Sequence, residues 1–479
     1  MSMFLTKSIH WIFLPFIVLL MAACSPLADS VERPAPTGAA SGLLEPSELS
    51  GGSLRAVWIR EVGDGTDWHA ATGNVILMGY DSEDGKEVRV LHEGYRNYNK
   101  PLLSPDGQTV VFTDLSDRRG IVTKLDWESR SLTPLGPGLA LDVWQDPQGK
   151  VWVYTGEGPM DNRGNVAKVE RFPLDNPSAR ELVWDQKVAR DNFQLGQSGQ
   201  YAGGLFPAAP NGGLVDLETL EFNVYSPGCW ASLSPGPQGV VWVFDGRHRN
   251  LQLFATNSDY RPNGSEERWV VNITGAPGID GNRTYYPRWS NHSRFFGVSG
   301  PMPHGNYERA EIYVGRFSED FQAVEAWSRL TNDDRPDLFP DIRVVPGGES
   351  KSPTSEAHGS VNNSSGVAKE GEQVTAEGVL VEKTRTPQPS DIAPYTSALA
   401  VYRYRVDAMP KSGEPGELLV AHWVIQDERV LRDFRREIGQ AYPLTLEIYD
   451  GNPKYTGKRV VSDLNEGSET LYVAIPDPS

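Results

Sequence analysis

Cysteine is almost absent: Cys24 and Cys229 are the only two in 479 residues, which excludes a disulfide framework. The fold must therefore be held by its core. Basic residues are in deficit, 45 Lys and Arg against 63 Asp and Glu, for a formal charge of −18. That balance argues against nucleic acid, which demands a basic face. It also argues against a broad electrostatic grip on anionic polysaccharide or lipid, and leaves room only for a local basic pocket. Catalytic signatures are missing too. Gly196-Gln-Ser198-Gly-Gln fails as a nucleophile elbow at its last position. There is no His-Glu-x-x-His helix, phosphate loop or dinucleotide fingerprint. His69, His92, His248, His292, His304 and His422 are scattered and read as surface, turn or packed residues. No catalytic residue, cofactor or metal is therefore assigned.

Long apolar runs are equally scarce. One, Trp11 to Met21, follows Lys7 and ends in Met21-Ala22-Ala23-Cys24. A charged start, a short apolar core and small residues before a cleavage point describe an export signal. The run is short for a membrane span. Ala22-Ala23-Cys24 resembles the lipobox of bacterial lipoproteins, with Met21 where that pattern usually has Leu. The resemblance implies that Cys24 becomes the lipidated first residue of the mature chain, anchored by methylenes worth about 0.8 kcal/mol each. Ser25, in place of Asp, implies the outer membrane by the same resemblance. Cys229, in the strand-like run Gly228-Cys-Trp-Ala-Ser-Leu233, then reads as a buried, inert thiol.

What the chain has in quantity is turn residues and aromatics: 48 Gly, 36 Pro and 10% aromatic side chains. That combination points to an all-β repeat protein. After a signal peptide over 1–23, residues 24–52 carry Pro, Ala, Gly and Ser with little apolar content and read as a flexible lipidated tether. From Ser53 short apolar strands alternate with turns, at a spacing of roughly 40 to 55 residues that signals a propeller. The clearest unit is Pro101-Leu-Leu-Ser-Pro105-Asp-Gly107 leading into Thr109 to Phe112, with Gly107 free to take positive φ in a tight turn. Related turns lie near Pro147, Gly199, Gly239 and Asn291.

These units resemble the repeats of TolB-like propellers, whose inner strand reads roughly Pro-x-Trp-Ser-Pro-Asp-Gly. Asn291-His292-Ser293 departs from that turn, and the units near Gly199 and Gly239 are looser. The first strands, from Leu54, lack an inner partner, while Asp337 to Val344 looks like an inner strand with no blade after it. Pairing the two closes a six-bladed ring over 53–345 and removes its open edges. Seven blades is the alternative if Asn257 to Glu267 hides strands.

A Ser/Gly/Pro-rich linker over 346–372 leads to strands resuming over 373–479. Their spacing suits a small antiparallel barrel or sandwich, with an OB-like barrel among the options. The linker implies that the ring folds without this domain. Ile392-Ala-Pro-Tyr395, with Leu399 to Tyr402 and Leu418 to Trp423, resembles a module of bacterial envelope proteins from polysaccharide-related loci.

Loops that lead into inner strands open onto one face of the ring, and Gly278 to Trp289 is richer than a connector requires. Asp280, Asn282, Arg283 and Tyr285 are therefore candidate ligand-binding residues, with His304 from a nearby Gly/Pro loop. Two functions follow. The first is a noncatalytic lipoprotein of the cell envelope whose propeller binds or scaffolds an envelope protein or polysaccharide. The second is a polysaccharide lyase or hydrolase working in the funnel. Missing motifs favour the first.

Overall fold

The structure, a computed structural model, describes residues 42–346 and 373–475 with short interruptions, the longest at 257–267. Cys24, His304, most of the linker and the loop Asn257 to Glu267 lie outside the described residues. Among the described residues no helix is long and apolar enough to cross a membrane.

Six four-stranded antiparallel sheets form the blades of a propeller. Blade 1 joins the two ends of the ring: its inner strand is Asp337–Pro346, followed outward by Gly52–Glu61, Val75–Asp81 and Arg89–His92. The register Ala56 to Ile342 fixes this closure, and Trp58 Nε1 and the Arg60 guanidinium converge on the buried Asp337 carboxylate. The inner strands of blades 2 to 6 are Asn99–Leu103, Leu139–Gln145, Gln194–Leu195, Cys229–Leu233 and Arg283–Trp289. The ring-closing strand expected from the sequence is thus where the pattern placed it. Gly107 takes a φ of 74° in the Pro-Asp-Gly turn.

In four blades the inner strand carries the same irregularity. Lys100, Trp230, Tyr286 and Phe339 have left-handed φ of 49°, 45°, 55° and 56°, and the pairing register breaks beside each one. Pro101, Pro287 and Pro340 follow three of them, and Ala231 follows the fourth. A proline cannot donate to the ladder, so it is accommodated where a bulge interrupts pairing. Bulges also re-aim side chains. Here they turn a large residue from each of four strands towards the ring axis.

The C-terminal domain is a closed five-stranded barrel built from Val374–Lys383, Ala398–Val406, Gly416–Gln426, Ala441–Ile448 and Leu471–Ala474. Numbered in chain order, the strands pair 1-2-3-5-4-1, with strands 3 and 5 parallel. This is the Greek-key order of an OB-like barrel, so the sandwich alternative falls and one closing pair is not antiparallel. Along Ala398–Val406, Tyr402 and Tyr404 point inward while Arg405 faces solvent.

Barrel and ring are packed together, which the linker alone did not imply. Trp242, Phe244, Ile273 and Trp289 of the ring belong to one continuous apolar core with Ile392, Tyr395, Ala400 and Leu418 of the barrel. Both lie in one compact unit.

Candidate functional site

Inner strands run from the loops that enter each blade to the turns that follow, so a propeller has two unlike faces. We call the turn side, with Ser104, Pro235 and Ser290, the upper face. The lower face carries the entering loops and the turns between second and third strands. The barrel packs on the lower ends of blades 5 and 6.

That docking is tight. The turn between Val240–Phe244 and Asn250–Ala255 presents Gly246, whose carbonyl accepts the Val460 N–H at 3.1 Å. A Cβ on Gly246 would lie 1.9 Å from the Lys458 carbonyl oxygen, so the approach requires glycine. Beside it Arg247, Arg249 and Arg283 surround one barrel carboxylate, Glu466. Burial alone would raise the Glu466 carboxyl, but Arg283, Arg247 and Arg249 overcome it and hold the group far below the usual carboxylate range. Burial, with Arg459 and Arg283 adding, holds His248 neutral. Cys229, 3.9 Å from His248 Nε2, is buried, and desolvation pushes its thiol up to about 12. A thiol that stays protonated is a poor nucleophile.

The loop chosen from the sequence lies in this junction. Arg283 is 4% exposed; its guanidinium donates to Glu466 Oε1 at 2.9 Å and to the Val460 carbonyl at 3.2 Å. Tyr285 packs edge-on against Trp230, with Tyr286 and Tyr307 around it. Asn282 closes its own turn by donating to the Ile279 carbonyl. Asp280 accepts the Gly278 N–H and is the exposed member of the four. The structure thus brings Arg283 and Tyr285 together, but beneath the barrel. What sequence reasoning missed is the run Arg247-His248-Arg249, three basic residues buried in one turn, whose only signal was cationic density at a turn.

Above the junction the axis is filled. Tyr286 stacks on Phe339 with ring centroids 3.9 Å apart, and Trp230 abuts Tyr286 edge-on. Lys100 Nζ donates to the carbonyls of Leu141, Phe193 and Arg190 at 2.7, 3.0 and 3.2 Å, tying together the inner parts of blades 2 to 4. Burial, then the nearby Arg288 charge, lowers this ammonium to about 7. The void left among these side chains measures about 30 Å³.

Two residues further along the inner strands, Arg288 bridges Asp142 at 2.5 Å and Asp341 at 2.6 Å, joining blades 6, 3 and 1 across the axis. Each aspartate also accepts a backbone N–H from the next blade, Asp142 from Leu195 and Asp341 from Leu103, both at 2.6 Å. Ser232 and Gln194 complete the layer, Ser232 Oγ donating to Gln194 Oε1. Arg288 burial disfavours its charge, and the two carboxylates more than restore it.

This layer floors an open cavity of about 310 Å³ on the upper face. Small-ligand sites run roughly 300–1,000 Å³, so the cavity reaches the lower end of that range. Its wall includes Trp144, Gln145, Gln197 and Arg343. Trp144 lies across the next blade's turn, donating Nε1–H to the Gln197 carbonyl at 2.9 Å. A Cβ on Gly199 would meet the Trp144 ring at 2.4 Å, so glycine there lets the indole lie flat. Among the described residues no group of three or more His, Cys, Asp or Glu side chains is arranged to hold a metal.

No family model and no curated protein matches the chain. Among solved structures, TolB from Acinetobacter baumannii aligns at 11% identity over 61% of this chain and 67% of its own, with a TM-score of 0.43. A putative TolB from Agrobacterium tumefaciens aligns at 12% over 62% and 99%, TM-score 0.37. A putative 6-phosphogluconolactonase from Bacteroides uniformis aligns at 11% over 79% and 98%, TM-score 0.35. Nothing of what these proteins do carries over to this chain at such values.

Proposed function

We propose that the protein is a noncatalytic, lipid-anchored module of the bacterial cell envelope, whose propeller binds an envelope protein or polysaccharide. One observation supports this most: a cavity of about 310 Å³ with mixed polar and apolar walls stands open on the upper face, floored by a closed Arg288–Asp142–Asp341 triad. The charges of that triad are engaged with one another and with backbone donors, which suits a rigid floor better than a proton shuttle. Cys24 supplies the anchor in this reading, and the outer membrane is its site.

The binding face is the upper one, since the lower ends of blades 5 and 6 hold the barrel. Asp280 is the described loop candidate that remains exposed on that lower side. Immobilised protein challenged with solubilised envelope fractions tests the proposal. Trp144→Ala, on the upper face, should abolish retention, and Asp280→Ala should leave it intact. Turnover of a glycan fraction by the protein would instead establish the enzyme reading.

A further inference from the structure

The upper cavity has an uneven distribution of charge. Its floor is closed, because Arg288 is matched by two carboxylates. Arg343, on the wall, is different. Its Nε donates to the Pro105 carbonyl at 2.6 Å, and no carboxylate pairs with its guanidinium among the described residues. Burial and then the neighbouring Arg55 charge push Arg343 below its ordinary range, while Asp106, Glu83 and Asp81 oppose them from beyond ion-pair distance. The cavity wall thus carries one guanidinium with no carboxylate in direct contact among the described residues.

The rest of the wall narrows the class of that anion. Leu103, Leu195 and Ile342 are buried within their blades and offer little apolar side-chain surface. What faces the space is a half-buried indole, Trp144, and two amides, Gln145 and Gln197, beside Pro105, Val143 and Pro235. The Gln197 side chain is exposed and has no hydrogen-bond partner among the described residues, and Gln145 uses only its Nε2. A hydroxyl-rich ring finds an aromatic face to lie on and amides that both donate and accept.

We infer that the cavity takes one carboxylate-bearing saccharide unit, with the uronate on Arg343, the ring on Trp144 and the hydroxyls on Gln145 and Gln197. This rests on the binding reading above and names its ligand. Guanidinium and carboxylate match as two-pronged partners, which a lysine would not reproduce. The overall charge of −18 sets a limit on ligand length. Only the unit in the cavity meets Arg343, and further uronates meet an acidic surface. Affinity should therefore not rise with chain length.

The test is calorimetric titration of the full protein with uronate disaccharides and decasaccharides of several backbones, each beside its carboxyl-reduced neutral counterpart. The inference predicts that at least one uronate binds more tightly than its reduced form. Arg343→Gln should weaken it by roughly tenfold to a hundredfold, the range of a charge-assisted hydrogen bond, while the neutral form is unaffected. Gln197→Ala, at an exposed side chain, should weaken both forms alike and guards against misreading a folding defect. Equal affinity for acid and reduced sugars, or indifference to Arg343→Gln, overturns the uronate assignment but leaves a glycan-binding module. Silence towards every sugar together with Trp144-dependent capture of an envelope protein overturns the inference and retains the binding reading. Loss of all capture removes both.

Discussion

Replacing Glu466 by Gln tests the junction that moved the candidate site. Glu466 is 3% exposed and is shared by three guanidiniums: Arg283 at 2.9 Å on Oε1, with Arg247 at 3.1 Å and Arg249 at 3.5 Å on Oε2. Removing one partner of a buried ion pair costs about 3–5 kcal/mol, because the remaining charge stays buried. Gln keeps an acceptor oxygen, so the lower end, about 3 kcal/mol, is expected. Urea unfolding followed by tryptophan fluorescence reads it, since Trp242 and Trp289 lie in the shared core. The same residue predicts a pH response. Its folded-state carboxyl lies far below the usual range, so its contribution is complete above the unfolded pKa of about 4.3 and is lost as pH falls below that. The acid limb of stability should be flatter in Glu466→Gln than in the parent. A companion variant, Gly246→Ala, places a methyl 1.9 Å from the Lys458 oxygen at a backbone angle alanine accepts, and should cost about 1–3 kcal/mol. A loss under about 1 kcal/mol for Glu466→Gln, with an unchanged acid limb, would refute the buried junction.

The remaining predictions concern other parts of the chain. Burial, with Asp337 and Asp333 adding and Thr331 and Arg329 opposing, pushes the Glu311 carboxyl up to about 7. Its contribution is therefore complete below about pH 4.3 and falls as pH rises to about 7, by on the order of 3–4 kcal/mol, so Glu311→Gln should remove that decline in melts taken from pH 4 to 8. Cys24→Ser should leave the protein unlabelled by a radioactive fatty acid and mislocalised on membrane fractionation; normal labelling would defeat the lipoprotein assignment.

The fold was legible because its determinants are local and repeated. A tight turn, Pro-Asp-Gly at 105–107 and looser variants elsewhere, followed by an apolar strand leaves a related mark from blade to blade. Asp337 to Val344 was readable as the closing strand because a ring needs an inner strand wherever Leu54 begins without one. The αL bulges left a mark as well, the residue before Pro101, Pro287 and Pro340, but its meaning depends on an axis that only the closed ring creates. Asp142, Arg288 and Asp341 occupy equivalent places in three repeats, and aligning inner strands would have shown charges in register.

The burial of Arg283 beneath the barrel was not legible. Loop richness near Arg283 is the same whether the loop meets a ligand or another domain. Glu466 lies 183 residues away in sequence, beyond a linker that reads as a separator. What distinguishes the two cases is shape: Gly246 against Lys458, and one core across both domains. Such complementarity is a property of two packed surfaces and leaves no periodic trace in the chain.

Hydrogen–deuterium exchange of the full protein, with and without native envelope extract, tests the central claim most directly. Binding at the upper cavity predicts slowed exchange confined to Asp142 to Gln145, Leu195 to Gln197 and Asp341 to Arg343, the segments that line it. Protection centred instead on the lower-face loop Gly278 to Arg283, with these three segments unchanged, would contradict the account.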